Sequence, residues 1–472
     1  MQKTRRFWRI FRCLLAGGVV VVLLFLFMVG PWPNYSNGLE EADYLETSLA
    51  RVNDRSKKSL STELSTGSGL TAGWARMSIT PAIGGPLAGY GARKGKPSTG
   101  IRDEVFVKAL ALSDGVDTAV VLGSDLLIVP ENIADAVREK ISEETELSGD
   151  EILFNASHNH SGPGGFAPGI VSGLFNGPYD ENVPRALTEQ FVAVIRSALA
   201  GMASAQYVTG GVAVEEYIRN REREDAPIDA ELSYMLLEKT GGERCYVVSY
   251  SAHPTVIGSD SFEISGEYPG YLMGHIAEVS GAEAIYLGGA LGSMGHRAPE
   301  GNTGFERSQA MGRALATIVL DETREVTEWE EGGDVESIGV PIDLPPYQAR
   351  LNRKLRFSKH LLPLLGVDHD AWLQGVRLGN TVWIGTPADF SGEISVELKA
   401  DAATSGIDLW VLSFNGDYVG YISPDRYYND LEADGTLGYE RGTMSWLGPQ
   451  QESYMVRLID QLVAGLYGVD PE

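Results

Sequence analysis

The sequence predicts an α/β protein. One large mixed-sheet domain carries helices packed on its sheets, and a single N-terminal transmembrane helix precedes it. Three observations lead there. An uncharged apolar run occupies residues 13–30. From Gly73 onward, apolar β-like runs alternate with segments of helical periodicity, the signature of sheets covered by helices. No linker or shift in composition divides residues 70–472.

Residues 1–12 form a basic tail, with Lys3, Arg5, Arg6, Arg9 and Arg12 and no acid. Such a tail is expected to stay cytoplasmic. CLLAGGVVVVLLFLFMVG follows, which as a helix spans roughly 27 Å, near the ~30 Å hydrocarbon core of a bilayer. Trp32 and Tyr35 stand where an aromatic belt belongs. Residues 13–33 therefore read as a transmembrane anchor with the body on the extracytoplasmic side, periplasmic or extracellular. The alternative is a signal segment whose cleavage gives a secreted protein, but no A-x-A-like site directly follows the run. Residues 34–69 are polar, include NDRSKKSLSTELSTGSG, and read as a stalk.

In the body at 70–472, TAVVLGSDLLIV (118–129) reads as a buried strand. ENIADAVREKISEETE (131–146) places Ile133, Ala134, Val137 and Ile141 at helical spacing. EILFNASHNH (151–160) reads as a strand, residues 183–202 as a helix, and 245–254 and 284–291 as strands. Residues 304–320 read as a helix, 381–390 as a strand, and QESYMVRLIDQLVAGLYG as a closing helix. Active-site loops are expected at the strand ends.

The formal net charge is −26 over 472 residues, despite the basic tail. So acidic a body repels phosphate backbones, and nucleic acid is excluded as a partner. Cys13 and Cys245 alone exclude a disulfide framework and a cysteine-rich zinc module. Nothing in the sequence fixes an oligomeric state.

Two of the seven histidines lie in His158-Asn159-His160. On a strand they share one face, because side chains alternate with period two. They can converge on a metal ion, or they are a hydrogen-bonded pair at a strand end. SGPGG (161–165) follows, with glycines that admit close backbone approach. His253 precedes Pro254, which holds it extended. It is either structural or a second nitrogen ligand of the kind a catalytic zinc uses. Asp389, Glu393, Asp417, Tyr418 and Tyr421 offer oxygen atoms, as ligands or as surface and packing groups.

With these motifs in order, the chain from about Gly73 to about Pro449 resembles the N-terminal catalytic domain of the neutral, non-lysosomal ceramidase family. GWARMSITPAIGGPLAGYGARKG looks like the family's opening segment, and FNASHNHSGPGGF is similar to its most specific signature. SYSAHPTVIG, NREREDAP, PADFSGE, NGDYVGYISPDRYY and YERGTMSWLGP resemble later blocks. The resemblance implies one zinc ion per chain, held by His158, His253, a carboxylate at Asp389 and the oxygen of Tyr421. It implies that His160 lies beside the ligands or faces the oxyanion, and that Arg221 meets the substrate's carbonyl or hydroxyl region. The family has Glu where this chain has Asp389, so Glu393 is the alternative carboxylate.

Two departures stand out. Where the family shows Gly-Asp-Val-Ser-Pro, with a serine implicated in catalysis, this chain reads GGALGSMGHRAP (288–299). Ser293 takes the serine role only after a shift of one or two residues. His296 is either a local base or a surface histidine. The family's C-terminal immunoglobulin-like domain is expected to be absent.

The chemistry implied is zinc-assisted hydrolysis of an amide, with His160, Arg221 or Tyr418 as donors to the oxyanion. The expected partner is a lipid amide. Arg350, Arg353, Lys354, Arg356 and Lys359 lie in an acid-free, leucine-rich stretch, 344–367. This stretch either approaches anionic lipid or gates the substrate channel, or is an ordinary helix with a solvated basic face. Two other functions stay open: a zinc hydrolase of another N-acyl or ester substrate, and a non-catalytic tethered protein on the same scaffold.

Overall fold

The computed structural model describes residues 2–35, 38–60, 69–367, 369–432 and 434–469. Its main element is an eight-stranded sheet with spatial order Glu283–Gly288, Arg244–Tyr250, Glu231–Lys239, Ala203–Ala213, Thr71–Ser78, Phe106–Ser113, Thr118–Ser124, Ile152–Leu153. The first and last pairs are parallel and the interior is antiparallel. The two ends of the sheet come together. A Cβ on Gly123 would meet the Tyr286 carbonyl oxygen at 2.5 Å, so only glycine allows that approach. The Asn155 side chain donates to the carbonyl of Gly288 and accepts from its N–H. A four-stranded sheet, Val335–Ile342, Ala371–Leu378, Thr381–Gly385 and Asp408–Leu412, shares a core with both halves. Leu110, Val247, Leu287, Trp383 and Trp410 meet there.

Helices cover the outside. Glu131–Glu144 buries Ile133, Ala134, Val137 and Ile141, the stripe its periodicity predicts. Each large aliphatic side chain so buried is worth about 1.5–3 kcal/mol. Asn182–Ala200, Gly304–Glu322 and Gln451–Leu466 also form where helical spacing places them. Glu267–Ser280 and Gly392–Thr404 are helices the periodicity does not single out. The mixed α/β architecture is as the sequence predicts.

Three local expectations need correction. The strand expected over 151–160 is only Ile152–Leu153, with one further bridge from Ala156 to Ser124. Beyond it the backbone turns, and His158 has φ +60. Residues 43–60, read as stalk, form the helix Asp43–Leu60. Leu45 and Val52 of that helix are buried in the core, and the Ser48 hydroxyl bonds that of Tyr454. The polar sequence hides a narrow apolar stripe at helical spacing. Residues 61–68, the Ser/Gly-rich end of the expected stalk, lie outside the described residues. The basic stretch is not a helix with a solvated face. It holds the short strand Leu355–Arg356 and one turn, Leu361–Leu364. Arg350 and Arg356 are buried, stacked on Tyr428 and Tyr35.

The N-terminal helix is Gln2–Met28. Within Arg5–Met28 an 18-residue window has a mean hydropathy of 2.7, and none of its residues is buried. This one helix is long and apolar enough to cross a membrane, as an anchor or as a signal sequence.

Candidate metal centre

The site is built at strand ends. His158 and His160 follow the bridge at Ala156, His253 follows Arg244–Tyr250, and Asp389 follows Thr381–Gly385. Phe414, Tyr418 and Tyr421 follow Asp408–Leu412. Where neighbouring strands run parallel, their C-terminal ends open a crevice into which such loops project.

His158 and His253 are buried, and each has one ring nitrogen occupied. His158 Nδ1 lies 2.8 Å from the Leu127 carbonyl oxygen. His253 Nδ1 lies 2.8 Å from that of Leu291 and 3.1 Å from that of Met294. A carbonyl only accepts, so the ring proton sits on Nδ1 and the Nε2 lone pair is free, the tautomer metal-binding histidines use. Each Nε2 faces Asp389 Oδ1, at 3.7 Å from His158 and 3.6 Å from His253. That oxygen is buried without a hydrogen-bond partner. The other, Oδ2, accepts from Tyr418 Oη at 2.7 Å. Asp389 and Tyr421 are direct partners in a short parallel pair, Asp389–Phe390 with Tyr421–Ile422. Phe414 stacks on the His158 ring at 4.4 Å, 6° from parallel.

Burial lowers the pKa of all three histidines, that of His160 and His253 well below the usual value. They are neutral at pH 7, so no imidazolium offsets Asp389. A buried carboxylate oxygen facing two neutral nitrogens is costly unless a cation lies between them. Two ligands of one tetrahedral zinc stand about 3.4 Å apart, close to the separations seen. The residues fit a metal ion. His160 joins them: one donor atom from each of His158, His160 and His253 lies within 4.8 Å of the others. Both His160 ring nitrogens are buried without a partner, and the ring leans on Tyr90 at 4.7 Å. Gly89 makes room, since a Cβ there would meet His160 Nδ1 at 2.5 Å.

A cavity rises from this cluster. His158, His160, Asp389, Tyr418 and Tyr421 line its buried end, and Val171, Phe175, Trp446 and Met444 supply apolar wall. Burial and the Asp389 charge push the phenols of Tyr418 and Tyr421 well above the usual range. Both stay protonated.

Two expected residues are held differently. The Arg221 guanidinium donates to Glu440 at 2.6 Å, and to the Gly292 carbonyl and Tyr421 Oη at 2.9 Å. It braces Tyr421 and stands behind the cavity wall. Burial pushes the Glu440 carboxyl up to about 8. Ser293 Oγ is 2.9 Å from Ser391 Oγ, is buried, and has no imidazole bonded to it. Glu393 bonds Asn220 and Arg426, so of the two candidate carboxylates only Asp389 faces the histidines. His296 is half-buried at the end of Met294–His296. Burial, then Arg307, takes its pKa to about 4.

Sequence reasoning missed Glu440, Phe414 and the Leu127 carbonyl. Glu440 lies inside the quoted YERGT block, so a signal was present. A carbonyl and a stacking ring carry none.

An α/β body with a buried histidine–carboxylate cluster at the closed end of an apolar cavity defines a class of protein with a candidate metal centre. Residues 71–272 match the family model of the neutral/alkaline non-lysosomal ceramidase N-terminal domain. The resemblance to that family is thus shown over these residues. A crystal structure of neutral ceramidase from Pseudomonas aeruginosa superposes with a TM-score of 0.72 at 18% identity, covering 86% of this chain and 75% of that one. A ceramidase complexed with C2 gives 0.72 at 17%, covering 86% and 76%. No curated protein sequence matches the chain.

Proposed function

We propose that this protein is a zinc-dependent amide hydrolase of neutral ceramidase type, cleaving an N-acyl sphingoid or related N-acyl lipid to fatty acid and amine. The observation that supports it most is the unpartnered Asp389 Oδ1 facing two histidine Nε2 atoms at the buried end of an apolar cavity.

In this reading His158, His253 and Asp389 hold the ion, with the Tyr421 oxygen beside them through its pairing with Asp389. When bound, zinc supplies Lewis acidity toward the amide carbonyl and lowers the pKa of water. The protein's own groups do the rest. Neutral His160 carries one N–H and one lone pair, and neither is used within the protein. It can take a proton from an attacking water and return it to the leaving nitrogen. Tyr418 orients Asp389 through its bond to Oδ2. Arg221, locked by Glu440 and the Gly292 carbonyl, fixes the Tyr421 phenol from behind the cavity wall. With Ser391 as its partner and no base beside it, Ser293 is not the nucleophile in this scheme; water is. The apolar wall excludes water from the acyl chain.

The test is metal content and release of fatty acid from N-acyl sphingosine, wild type beside His158→Ala. One zinc per chain, lost with activity in the variant, is expected. Full activity and undiminished zinc in His158→Ala would overturn the site. Zinc without turnover of N-acyl sphingosine would redirect the search to other N-acyl compounds.

A further inference from the structure

The N-terminal helix and the exposed rim of the cavity are joined by one short stretch of chain. At the exit of the helix, Ser358 N–H donates to the Val29 carbonyl at 2.9 Å, and Ser358 Oγ donates to that of Phe27. Phe27 stacks on His360 at 4.7 Å. Trp32–Pro33 pairs antiparallel with Leu355–Arg356, and the Asn34 side chain donates to the Arg353 carbonyl. His360 therefore stands beside the last turn of the apolar helix, and the turn Leu361–Leu364 begins at the next residue. Six residues from Ser358 to Leu364 bound their separation at about 20 Å.

That turn leads directly to the cavity. The Leu365 carbonyl accepts from Ile170 N–H at 2.9 Å. Gly366 and Gly169 touch so closely that a Cβ on either would meet the other residue's backbone at 2.7–2.8 Å. Gly366, Val171 and Phe175 line the cavity. Leu364 is 58% exposed, Ile170 63% and Leu174 61%. Ile170 and Leu174 are four apart in the helix Ile170–Asn176 and so share a face. In the stretch between the helix exit and this turn, Arg353, Lys354 and Lys359 are exposed, cations in an otherwise acidic protein. Asp370 is also on the rim, so apolar exposure rather than charge is the leading feature.

We propose that this surface, the helix Ile170–Asn176 with the turn Leu361–Leu364, seats in the same bilayer that the N-terminal helix crosses, so that the cavity opens onto lipid rather than water. The occupant is the membrane, because the apolar residues adjoin the exit of a membrane-length helix and exposed cations flank them. The substrate then enters from the bilayer. Only that last step rests on the lipid-hydrolase reading.

The test uses the full chain with Cys13→Ser, since Cys245 is buried. Leu364→Cys, Leu174→Cys and, as control, Val279→Cys on the distant helix Glu267–Ser280 each receive an environment-sensitive fluorophore. The proteins are reconstituted into phosphatidylcholine–phosphatidylglycerol vesicles containing lipids with nitroxides on the acyl chain. Quenching at 364 and 174 severalfold above that at 279 is expected. Equal quenching at the three positions overturns the proposal. A second measurement uses Leu174→Asp/Leu364→Asp. Turnover of N-acyl sphingosine in vesicles should fall at least tenfold, while a water-soluble short-chain N-acyl amide is cleaved as by wild type. Equal loss on both substrates overturns lateral entry. If wild type cleaves neither substrate, the ceramidase reading fails, and the quenching result still decides whether the surface meets lipid.

Discussion

Asp389 gives its two oxygens different tasks: Oδ2 is bonded to Tyr418, and Oδ1 is left toward the histidines. In Tyr418→Phe the carboxylate loses its orienting donor while the ring keeps its packing. We expect zinc affinity to fall about 10–100-fold, the range for losing a partner that orients a ligand, with the fold intact. Chelator competition followed by metal analysis checks this. Unchanged affinity would show that Tyr418 does not position the ligand. At His296 burial lowers the pKa to about 4, and the ring accepts from Ala298 N–H. The unfolded histidine titrates near ~6.5. Between those values the unfolded chain binds a proton that the folded chain does not, so stability is lost as pH falls from about 6.5 toward 4. His296→Gln should lessen that loss, read as the denaturation midpoint at pH 7 and pH 5. An equal drop in both proteins would rule the residue out. At this scale the candidate ligands were legible in the sequence as residue types, because imidazole and carboxylate carry chemistry wherever they stand. What was not legible is which ring nitrogen is left free for a metal, since backbone carbonyls at Leu127 and Leu291 decide it.

Among elements, the loop after Glu283–Gly288 departs from the family pattern, yet it packs on the short strand that carries Asp389. Gly292 N–H donates to the Phe390 carbonyl at 2.7 Å. A Cβ on Gly292 would meet the carbonyl oxygens of Phe390 at 2.7 Å and Asp389 at 2.8 Å. Backbone cannot move aside as a side-chain tip can. Gly292→Ala should therefore shift Asp389, destabilise by about 1–3 kcal/mol and weaken zinc binding. Ser293→Ala, which loses one buried hydroxyl pair, should keep most activity if water is the nucleophile. Metal content, turnover and urea midpoints of both variants check this. Loss of activity in Ser293→Ala with zinc retained would return the serine to the mechanism. The same scale shows why the strand expected through His160 ends early. The period-two spacing of Ile152, Phe154, Ala156, His158 and His160 is compatible with a strand. The chain instead leaves the sheet after Ala156 and places His158 at φ +60, a conformation that costs energy in a non-glycine residue and clusters at functional sites. Phe414 covers the His158 ring at this turn, also at positive φ.

For the molecule as a whole, the helix Asp43–Leu60 belongs to the body rather than to a tether. Its fully buried Val52 packs in the core, so Val52→Asp should cost about 3 kcal/mol or more by burying an unpaired charge. If residues 43–60 were a tether, thermal denaturation of that variant would match wild type. The sequence by itself determined the α/β class, the order of several helices and strands, the N-terminal apolar helix, and the small set of histidines, carboxylates and phenols from which a site can be drawn. These follow from local periodicity and from side-chain chemistry, which are properties of residues in order. Tertiary structure decided that the two ends of the large sheet meet, that Asp389 rather than Glu393 faces the histidines, and that Ser293 pairs with Ser391. It also decided that the polar segment before the body is a packed helix, and that the cavity rim adjoins the exit of the apolar helix. Each depends on contacts between residues far apart in the chain, where burial and steric fit choose among conformations that the local sequence leaves open.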